Sequence, residues 1–418
     1  MNRRKLLQAM ITAGAGTIWL GPDAWAKTFD PGTASTRRLI VVFLRGAVDG
    51  LNLVVPYREA NYYGQRPKIA IAKPGEADGA VDLDGQFGVH PALSPLLPFW
   101  RQGSLAFVHA AGSPDPTRSH FDGQDNIESG TPGNKATRDG WLNRLEGALP
   151  ADPALRAAPI RAVSIGAVLP RVFLGDNRVT TIASGATALR PSVLDRPTVN
   201  DAFTSIYHDD ARLGATFKEY VAARRDVVMA LDQADGEMHD ANNGAPPSYA
   251  FAGDAIRLAT LMRRDRRVQL GFLAVSGWDT HANQGGAKGQ LANLLTPFAQ
   301  GMAALAQNLG PAYADTTIVV VSEFGRTLAQ NGNGGTDHGH GNVMWLMGGN
   351  VAGGKVHGDW PGLDDGQLHD GRDLPVTTDY RTVLAQICER HLLLPDAQLS
   401  QVFPTMPKQV TPLNVIKG

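Results

Sequence analysis

One stretch of the sequence combines carboxylates with histidines in a spacing that could hold a cation. Glu323 follows the apolar, β-branched run Ile318 to Val321, and Asp337, His338 and His340 follow a glycine-rich segment. A carboxylate just beyond a buried strand, with an Asp and two His close behind it, offers the oxygen and nitrogen donors of a divalent metal site. The alternative is a charged strand end followed by a polar loop.

Two other apolar runs also end in acidic residues. Asp49 follows the run Leu39 to Leu44, while Asp279 and His281 follow Val268 to Ser276. The carboxyl ends of parallel strands open onto the same edge of a sheet, so we expect these side chains to lie near one another. Gathered carboxylates repel each other unless a cation neutralises them. The three strand ends together therefore predict a metal site.

The predicted ligands are of mixed Asp, Glu and His type, which suits Zn, Mn or, with fewer histidines, Ca or Mg, as one ion or two. Two members of the set have another interpretation. Asp49 could stabilise its turn through an Asx hydrogen bond, and Glu323 could form a salt bridge with Arg326. The full set is Asp49, Asp279, His281, Glu323, Asp337, His338 and His340.

A candidate nucleophile opens a predicted helix from Ser119 to Ser129, which Gly130 closes. The amides at a helix N-terminus favour an anion, so Ser119 is placed to attack a phosphoryl or sulfuryl group while Arg118 holds ester oxygens. His120 would be a metal ligand or a general acid, or else a surface residue without a role in the site. Ser119 is equally suited to be a helix N-cap without a catalytic role. The chain has no Gly-x-Ser-x-Gly elbow and no Walker ending, which disfavours an α/β-hydrolase triad and excludes a P-loop.

Long apolar strands alternate with helices, which predicts an α/β fold with a mostly parallel central sheet and helices on both faces. A mainly helical segment is expected at about residues 210–264, and a closing helix from Tyr380 to Leu393. Ser104 to Ala110 is predicted as a strand ending at His109. His90 and His109 are interpreted as capping or core histidines.

Composition narrows the class of protein. The 418 residues are 43% hydrophobic and 19% charged, and 39 Lys and Arg face 40 Asp and Glu, so the chain is globular and nearly neutral. It lacks a basic stripe, which argues against nucleic acid as a partner. Cys388 is the single cysteine, so no intrachain disulfide is expected.

The first 26 residues have the pattern of a signal peptide. Arg3 and Arg4 precede the moderately apolar run Ala9 to Leu20, and Ala24 and Ala26 give a small-x-small cleavage site. The paired arginines resemble a twin-arginine (Tat) signal, with an ordinary secretory signal as the alternative. We therefore expect the Tat translocon as a partner, a periplasmic or secreted location, no stable membrane span, and one mature domain over residues 27–418.

Several segments together resemble the bacterial domain-of-unknown-function family 1501. They are FLRGAVDGLNLVVP, RSHFDGQDNIESG, GWDTHANQ, SEFGRT and GTDHGHGN, beginning at Phe43, Arg118, Gly277, Ser322 and Gly335. That family is similar in fold to the alkaline phosphatase and sulfatase superfamily, whose members act on phosphate and sulfate esters at a one- or two-metal site. The resemblance thus implies an alkaline phosphatase-like fold.

The resemblance also implies roles for particular residues. Asp49 looks like the first-strand metal ligand, Ser119 like the nucleophile, Asp279 and His281 like an Asp/His pair, and His338 or His340 like the late histidine. The sequence departs from the superfamily in the short spacing of Asp279 and His281 and in Phe324, which stands where His is common. The expected function is an exported metal-dependent hydrolase of a small-molecule or polymeric phosphate or sulfate ester. The alternative is a non-catalytic periplasmic binding or assembly protein that keeps the fold.

Overall fold

The computed structural model describes residues 36–149, 160–166, 168–185, 197–207, 217, 250–406 and 412–417. The predicted signal peptide lies outside this part of the chain, as does most of the helical segment expected at residues 210–264. From Thr36 onward the chain forms one compact unit. No helix in the described ranges is both long and apolar enough to span a bilayer.

The described strands are β1 (Arg38–Arg45), β2 (Val54–Val55), β3 (Val81–Asp82), β4 (Gly88–Val89), β5 (Leu105–Gly112), β6 (Ala162–Ile165), β7 (Thr180–Ile182), β8 (Leu270–Ser276), β9 (Thr316–Ser322), β10 (Arg326–Gln330), β11 (Thr336–His338), β12 (Asn342–Gly348), β13 (Val356–His357) and β14 (Thr378–Asp379). The α-helices are α1 (Gly50–Leu53), α2 (Ala60–Gln65), α3 (Leu97–Arg101), α4 (His120–Ser129), α5 (Trp141–Ala148), α6 (Pro197–Ile206), α7 (Ala250–Arg264), α8 (Gln290–Leu309), α9 (Tyr380–Gln386) and α10 (Asp396–Val402).

The main sheet has nine strands in the order β13-β5-β12-β9-β1-β8-β6-β7, with β14 also paired to β5. β1 is central and runs parallel to β8 and to β9, so that Val41 lies between Phe272 and Val319. β12 is antiparallel to both of its neighbours, β9 and β5. The predicted mixed α/β fold with a mostly parallel sheet is confirmed.

Both faces of the sheet are covered, which explains why β1 is apolar at successive positions. Ile40 and Val42 point into one core cluster, which also contains Leu258 of α7 and Leu295 of α8. Leu39, Val41 and Phe43 point into a second cluster, with contributions from α5 and α9. Because alternate residues of β1 pack against two helical layers, neither face of the strand is exposed to solvent. Polar side chains can therefore reach solvent only at the ends of the strand.

The structure differs from the predicted elements in three places. β5 continues past His109 to Gly112 because it pairs with β12 along that length. The polar segment after Glu323, expected as a loop, contains the antiparallel hairpin β10–β11, which pairs only within itself among the described strands. The closing helix changes from α9 to a π-helical turn at Ile387–His391. Such short or irregular elements carry no apolar periodicity to reveal them.

Candidate metal centre

The carboxyl ends of adjacent parallel strands meet the start of one helix at this site. β9, β1 and β8 lie side by side; Glu323 follows β9, and Asp279 lies in the loop after β8. α4 begins at His120, directly after its N-cap Ser119. β11 ends at His338. The fold therefore brings Asp279, Glu323 and His338 together with the start of α4 at one edge of the main sheet.

Four side chains converge there, and we call them the metal-site cluster: His120, Asp279, His281 and His338. One potential ligand atom from each of His120, Asp279 and His338 lies within 4.8 Å of the other two. His281 joins them, with its Nε2 atom 2.9 Å from His338 Nε2 and 3.1 Å from Asp279 Oδ1. The structure thus brings together three of the predicted metal ligands and His120.

Each imidazole of the cluster is held from behind by an oxygen acceptor at its Nδ1 atom. The acceptors are Glu323 Oε1 for His120 (2.9 Å), Asp337 Oδ1 for His281 (3.2 Å) and the Arg118 carbonyl for His338 (2.7 Å). A carbonyl or an ionised carboxylate can only accept, so all three rings carry a proton on Nδ1. Such partners fix the tautomer and orientation of metal-binding histidines.

The consequence is that the Nε2 lone pairs point inward. Those of His281 and His338 face each other at 2.9 Å. His120 Nε2 is buried and makes no hydrogen bond to the described residues, although Asp279 Oδ2 lies 3.4 Å away. Converging lone pairs beside a carboxylate are repulsive on their own and are satisfied by a cation. The donor set therefore fits a divalent metal ion, and three imidazoles with one carboxylate suit Zn or another transition metal better than Ca or Mg.

Charge at the cluster is balanced by a buried arginine. Arg326 Nη2 donates to Asp279 Oδ1 at 2.6 Å, and its other donors reach backbone carbonyl oxygens. Burial alone would raise the pKa of the Asp279 carboxyl, but Arg326 and the neighbouring histidines hold it below its usual value. Burial lowers the pKa of His338. Both shifts favour the forms that bind a metal, the ionised carboxylate of Asp279 and the neutral imidazole of His338.

Glu323 lies behind the cluster as a buried hub. Its Oε1 accepts from His120 Nδ1, from the Gly46 amide at 2.8 Å and from Gln124 Nε2 at 3.2 Å. Ser322 Oγ donates to Oε2 at 2.9 Å. Burial opposes ionisation, but these donors, His120 foremost, keep the pKa of Glu323 below its ordinary value. The hydrogen bond to Glu323 correspondingly raises the pKa of His120.

Asp337 has a similar supporting position at the exposed side of the site. Asn331 Nδ2 donates to Asp337 Oδ1 at 3.0 Å, and His281 shares that oxygen. The Asn331 hydrogen bond, followed by that of His281, keeps the pKa of Asp337 below its usual value. Both Glu323 and Asp337, predicted as ligands, thus contact the far nitrogen of a histidine in the cluster.

The structure does not bring Asp49 to the cluster. Its side chain is fully buried, with Oδ2 bound by Arg66 Nη1 and by Gln284 Nε2, each at 2.6 Å. Arg66 Nη2 donates to the other oxygen at 3.1 Å. Arg66 is itself fully buried and also donates to Asn52 Oδ1. Asp49 therefore neutralises a buried arginine beneath the site.

His340 also lies apart from the cluster. Its ring stacks on that of His369, with centroids 4.5 Å apart, and burial lowers its pKa to about 4. His90 caps a 3₁₀ turn, with Nδ1 accepting from the Ala92 amide, and His109 is a core residue that is 1% exposed. The interpretation of His90 and His109 as capping and core residues is confirmed.

The predicted nucleophile segment borders the cluster on both sides of Ser119. The Arg118 carbonyl binds His338, and His120 belongs to the cluster. The Arg118 guanidinium, however, turns to Asp373 (2.6 Å) and Asp370 (3.0 Å). Ser119 Oγ accepts from the Asp122 amide at 3.5 Å, which is the N-cap arrangement. The backbone of this segment is fixed at the site, while the Arg118 side chain is engaged elsewhere.

Three contributing residues were not identified from the sequence. Gln124 supports Glu323 and lies one helical turn after His120, a spacing that marks it as facing the same way. Arg326 was considered as a partner of Glu323 but pairs with Asp279 instead. Arg66, which neutralises Asp49, has no local sequence signal because the two meet only through the tertiary fold.

Comparisons with known proteins place the chain as follows. The model of the family described as "Protein of unknown function (DUF1501)" matches residues 100–403. A search of curated proteins finds no match. Solved structures that are similar include Ps i-CgsB in complex with k-i-k-neocarrahexaose (11% identity, 78% of this chain, 69% of that chain, TM-score 0.37). A putative sulfatase from Bacteroides thetaiotaomicron (8% identity, 90% and 76%, TM-score 0.38) and the lipoteichoic acid synthase LtaP from Listeria monocytogenes (10% identity, 75% and 66%, TM-score 0.32) are also similar. At these TM-scores the likeness says nothing about the reaction.

Proposed function

The chain belongs to the DUF1501 family, and from the geometry of its own site we propose that it is a metal-dependent hydrolase of phosphate or sulfate esters. The observation that carries the proposal is the inward convergence of three imidazole Nε2 atoms beside Asp279. Every Nδ1 atom of the cluster is already bound to an acceptor, so its Nε2 atom is the one left to bind a cation.

The arrangement supports one ion. The described residues contain a single group of three or more carboxylate, histidine or cysteine side chains at metal-binding distance. Phe324 packs its ring against His120 and His338, with both centroid distances 5.1 Å, and offers no ligand atom. Glu323 and Asp337 hold histidines instead of extending the cluster. We therefore assign His120, Asp279, His281 and His338 as the ligands of one transition-metal ion.

A bound divalent cation would polarise an ester oxygen and favour ionisation of a nearby hydroxyl. Ser119 is our proposed nucleophile because its backbone is fixed between Arg118 and His120, at the start of α4. Its Oγ atom would bond to phosphorus or sulfur as the ester oxygen departs, and the hydroxyl proton would leave with the released alcohol. Water would then hydrolyse the seryl ester. The α4 amides favour the anionic group.

Metal content and ester hydrolysis test this proposal directly. The purified protein is expected to contain one transition-metal ion per chain by inductively coupled plasma mass spectrometry and to hydrolyse aryl phosphate or sulfate esters. The substitution Asp279→Ala should abolish both, because it removes the single carboxylate of the cluster. A wild-type protein with no metal after supplementation would end the proposal.

The two roles of Ser119 can be separated by one substitution. Asn is as good an N-cap as Ser but has no hydroxyl, so Ser119→Asn preserves the start of α4 and removes the nucleophile. We expect hydrolysis to be lost while metal content is retained. If Ser119→Asn hydrolyses esters at the wild-type rate, Ser119 is a cap and water attacks directly.

A binding or assembly protein is the second candidate, and two observations favour it. Ser119 Oγ is in the N-cap position, and the Arg118 guanidinium is paired with Asp370 and Asp373 and so turned from the cluster. A metal-replete protein that is inert toward phosphate, phosphonate and sulfate esters, with Ser119 unreactive to covalent probes, would favour this function over hydrolysis.

We further propose export through the Tat route to the periplasm or beyond, from the paired Arg3 and Arg4 ahead of an apolar run. This route carries folded proteins, which suits a chain that takes up its metal before export. Replacing both arginines with Lys should leave the precursor in the cytoplasm, whereas the same change leaves an ordinary secretory signal working. Fractionation and immunoblotting distinguish the two results.

A further inference from the structure

A cavity of about 490 Å³ opens beside the metal-site cluster, at the same edge of the sheet. Its walls come from β1, β6 and β8, from α4, and from Gly166 and residues 168–171 after β6. This volume is within the range of roughly 300–1,000 Å³ that small-molecule pockets have. The cavity is therefore large enough to hold part of a substrate.

Exposed apolar side chains line this cavity. Phe121 is 88% exposed, Val168 75% and Leu169 40%, and all three lie on its walls. Removing apolar side-chain surface from water is favourable by about 25 cal/mol per Å². A ligand whose apolar group covers these side chains therefore binds more tightly than one without such a group.

The charged residues of the cavity are already neutralised by one another. Arg45 Nη2 binds Glu128 Oε1 at 2.6 Å, and Arg171 Nε binds Asp125 Oδ1 at 3.0 Å. Two cations are thus matched by two anions within the wall. A second anionic group, such as a further sulfate of a polymer, would meet no uncompensated positive charge there.

α4 contributes residues both to the cavity wall and to the metal-site cluster. Phe121 directly follows His120, a member of the cluster. Gln124 donates to Glu323 Oε1, which holds His120, and accepts from Arg45 on the cavity wall. A molecule with its anionic group at the cluster would extend its remaining part toward Phe121 and Val168.

We propose that this cavity binds the apolar aryl or alkyl group of a singly esterified substrate whose anionic group lies at the metal-site cluster. The inference rests on the proposed function for the position of the anionic group. It narrows the substrate to esters of hydrophobic alcohols or phenols, in preference to polyanionic polymers or sugar esters.

Binding of two phosphonates that cannot be hydrolysed tests the proposal. Isothermal titration calorimetry on the zinc-supplemented full chain would compare 2-naphthylmethylphosphonate with methylphosphonate. We expect the naphthyl compound to bind at least about tenfold more tightly. Val168→Asn and Phe121→Asn, each of which removes an exposed apolar side chain from the cavity wall, should each reduce this ratio several-fold. The matched control is Leu393→Asn, which removes a 58% exposed apolar side chain outside the cavity and should leave the ratio unchanged.

Equal affinity for the two phosphonates, absence of binding by both, or a ratio unaffected by Val168→Asn and Phe121→Asn would overturn the inference. Failure of the proposed function gives a different result. In that case the zinc-bound protein does not hydrolyse aryl esters, but the naphthyl compound still binds preferentially and the two cavity variants still weaken it. The ratio of the affinities for the two phosphonates therefore tests the proposed role of the cavity, and turnover of aryl esters tests the proposed hydrolase activity.

Discussion

The substitution Asp49→Asn distinguishes a buried structural carboxylate from a metal ligand. Asp49 presents two accepting oxygens to Arg66 and Gln284, with contacts of 2.6–3.1 Å. Asn has one accepting oxygen, so its amide group would face a donor of Arg66 or of Gln284. The Arg66 charge, fully buried, would lose its counter-ion. Breaking one partner of a buried pair costs about 3–5 kcal/mol, and we expect the free energy of unfolding to fall by that amount.

The assay is urea unfolding in the presence of a chelator, with metal content measured separately on protein loaded with zinc. Asp49→Asn should be strongly destabilised yet keep one metal ion per chain. Asp279→Asn is the matched control. Its carboxylate is 44% exposed, and Arg326 retains backbone carbonyl acceptors. It should therefore lose metal, with a smaller loss of stability than Asp49→Asn, because Asp279 is partly exposed while Asp49 is fully buried. Loss of metal from Asp49→Asn with unchanged stability would refute this account.

Further expectations concern the support of His120 and the response to acid. Glu323→Gln should weaken metal affinity about 10- to 100-fold, because Glu323 orients His120. The affinity is measured by competition with a chelator, and an unchanged value would show that Glu323 does not have this role. Burial lowers the pKa of His391 to about 4, against about 6.5 when unfolded, so the unfolded state binds the proton first as pH falls. The contribution of neutral His391 to the free energy of unfolding is complete above about pH 6.5. It is lost toward pH 4, and the loss reaches up to about 3 kcal/mol. His391→Gln should reduce the pH-dependent change in the free energy of unfolding by that amount. Parallel plots of the free energy of unfolding against pH for the two proteins would contradict this expectation.

Much of the central sheet could be predicted because its strands are buried on both faces. The runs at Leu39 to Leu44 and Ile318 to Val321 are continuous in β-branched and large apolar residues, and Val268 to Ser276 is mostly apolar; they form β1, β9 and β8. The antiparallel direction of β12 was not predicted. Strand direction depends on the path of the intervening chain, and an apolar run looks the same in either direction.

The candidate site was predictable to the extent that strand ends determine it. Asp279, His281 and His338 meet because β8 ends at this edge and the β10–β11 hairpin folds back over it. Asp49 carries the same local signal but serves Arg66, which lies 17 residues further along. Which carboxylate faces the cluster and which neutralises a buried cation depends on tertiary contacts that a strand-end pattern does not contain.

X-ray absorption spectroscopy at the zinc edge, on the zinc-loaded protein, tests the central claim most directly. We predict one zinc ion per chain with four ligands, of which three give the outer-shell scattering of imidazole, at Zn–N distances of about 2.0–2.1 Å. His281→Ala should reduce the imidazole count by one. A protein that takes up no zinc, or whose zinc is bound by one imidazole or none, would contradict the assignment of His120, His281 and His338 as ligands.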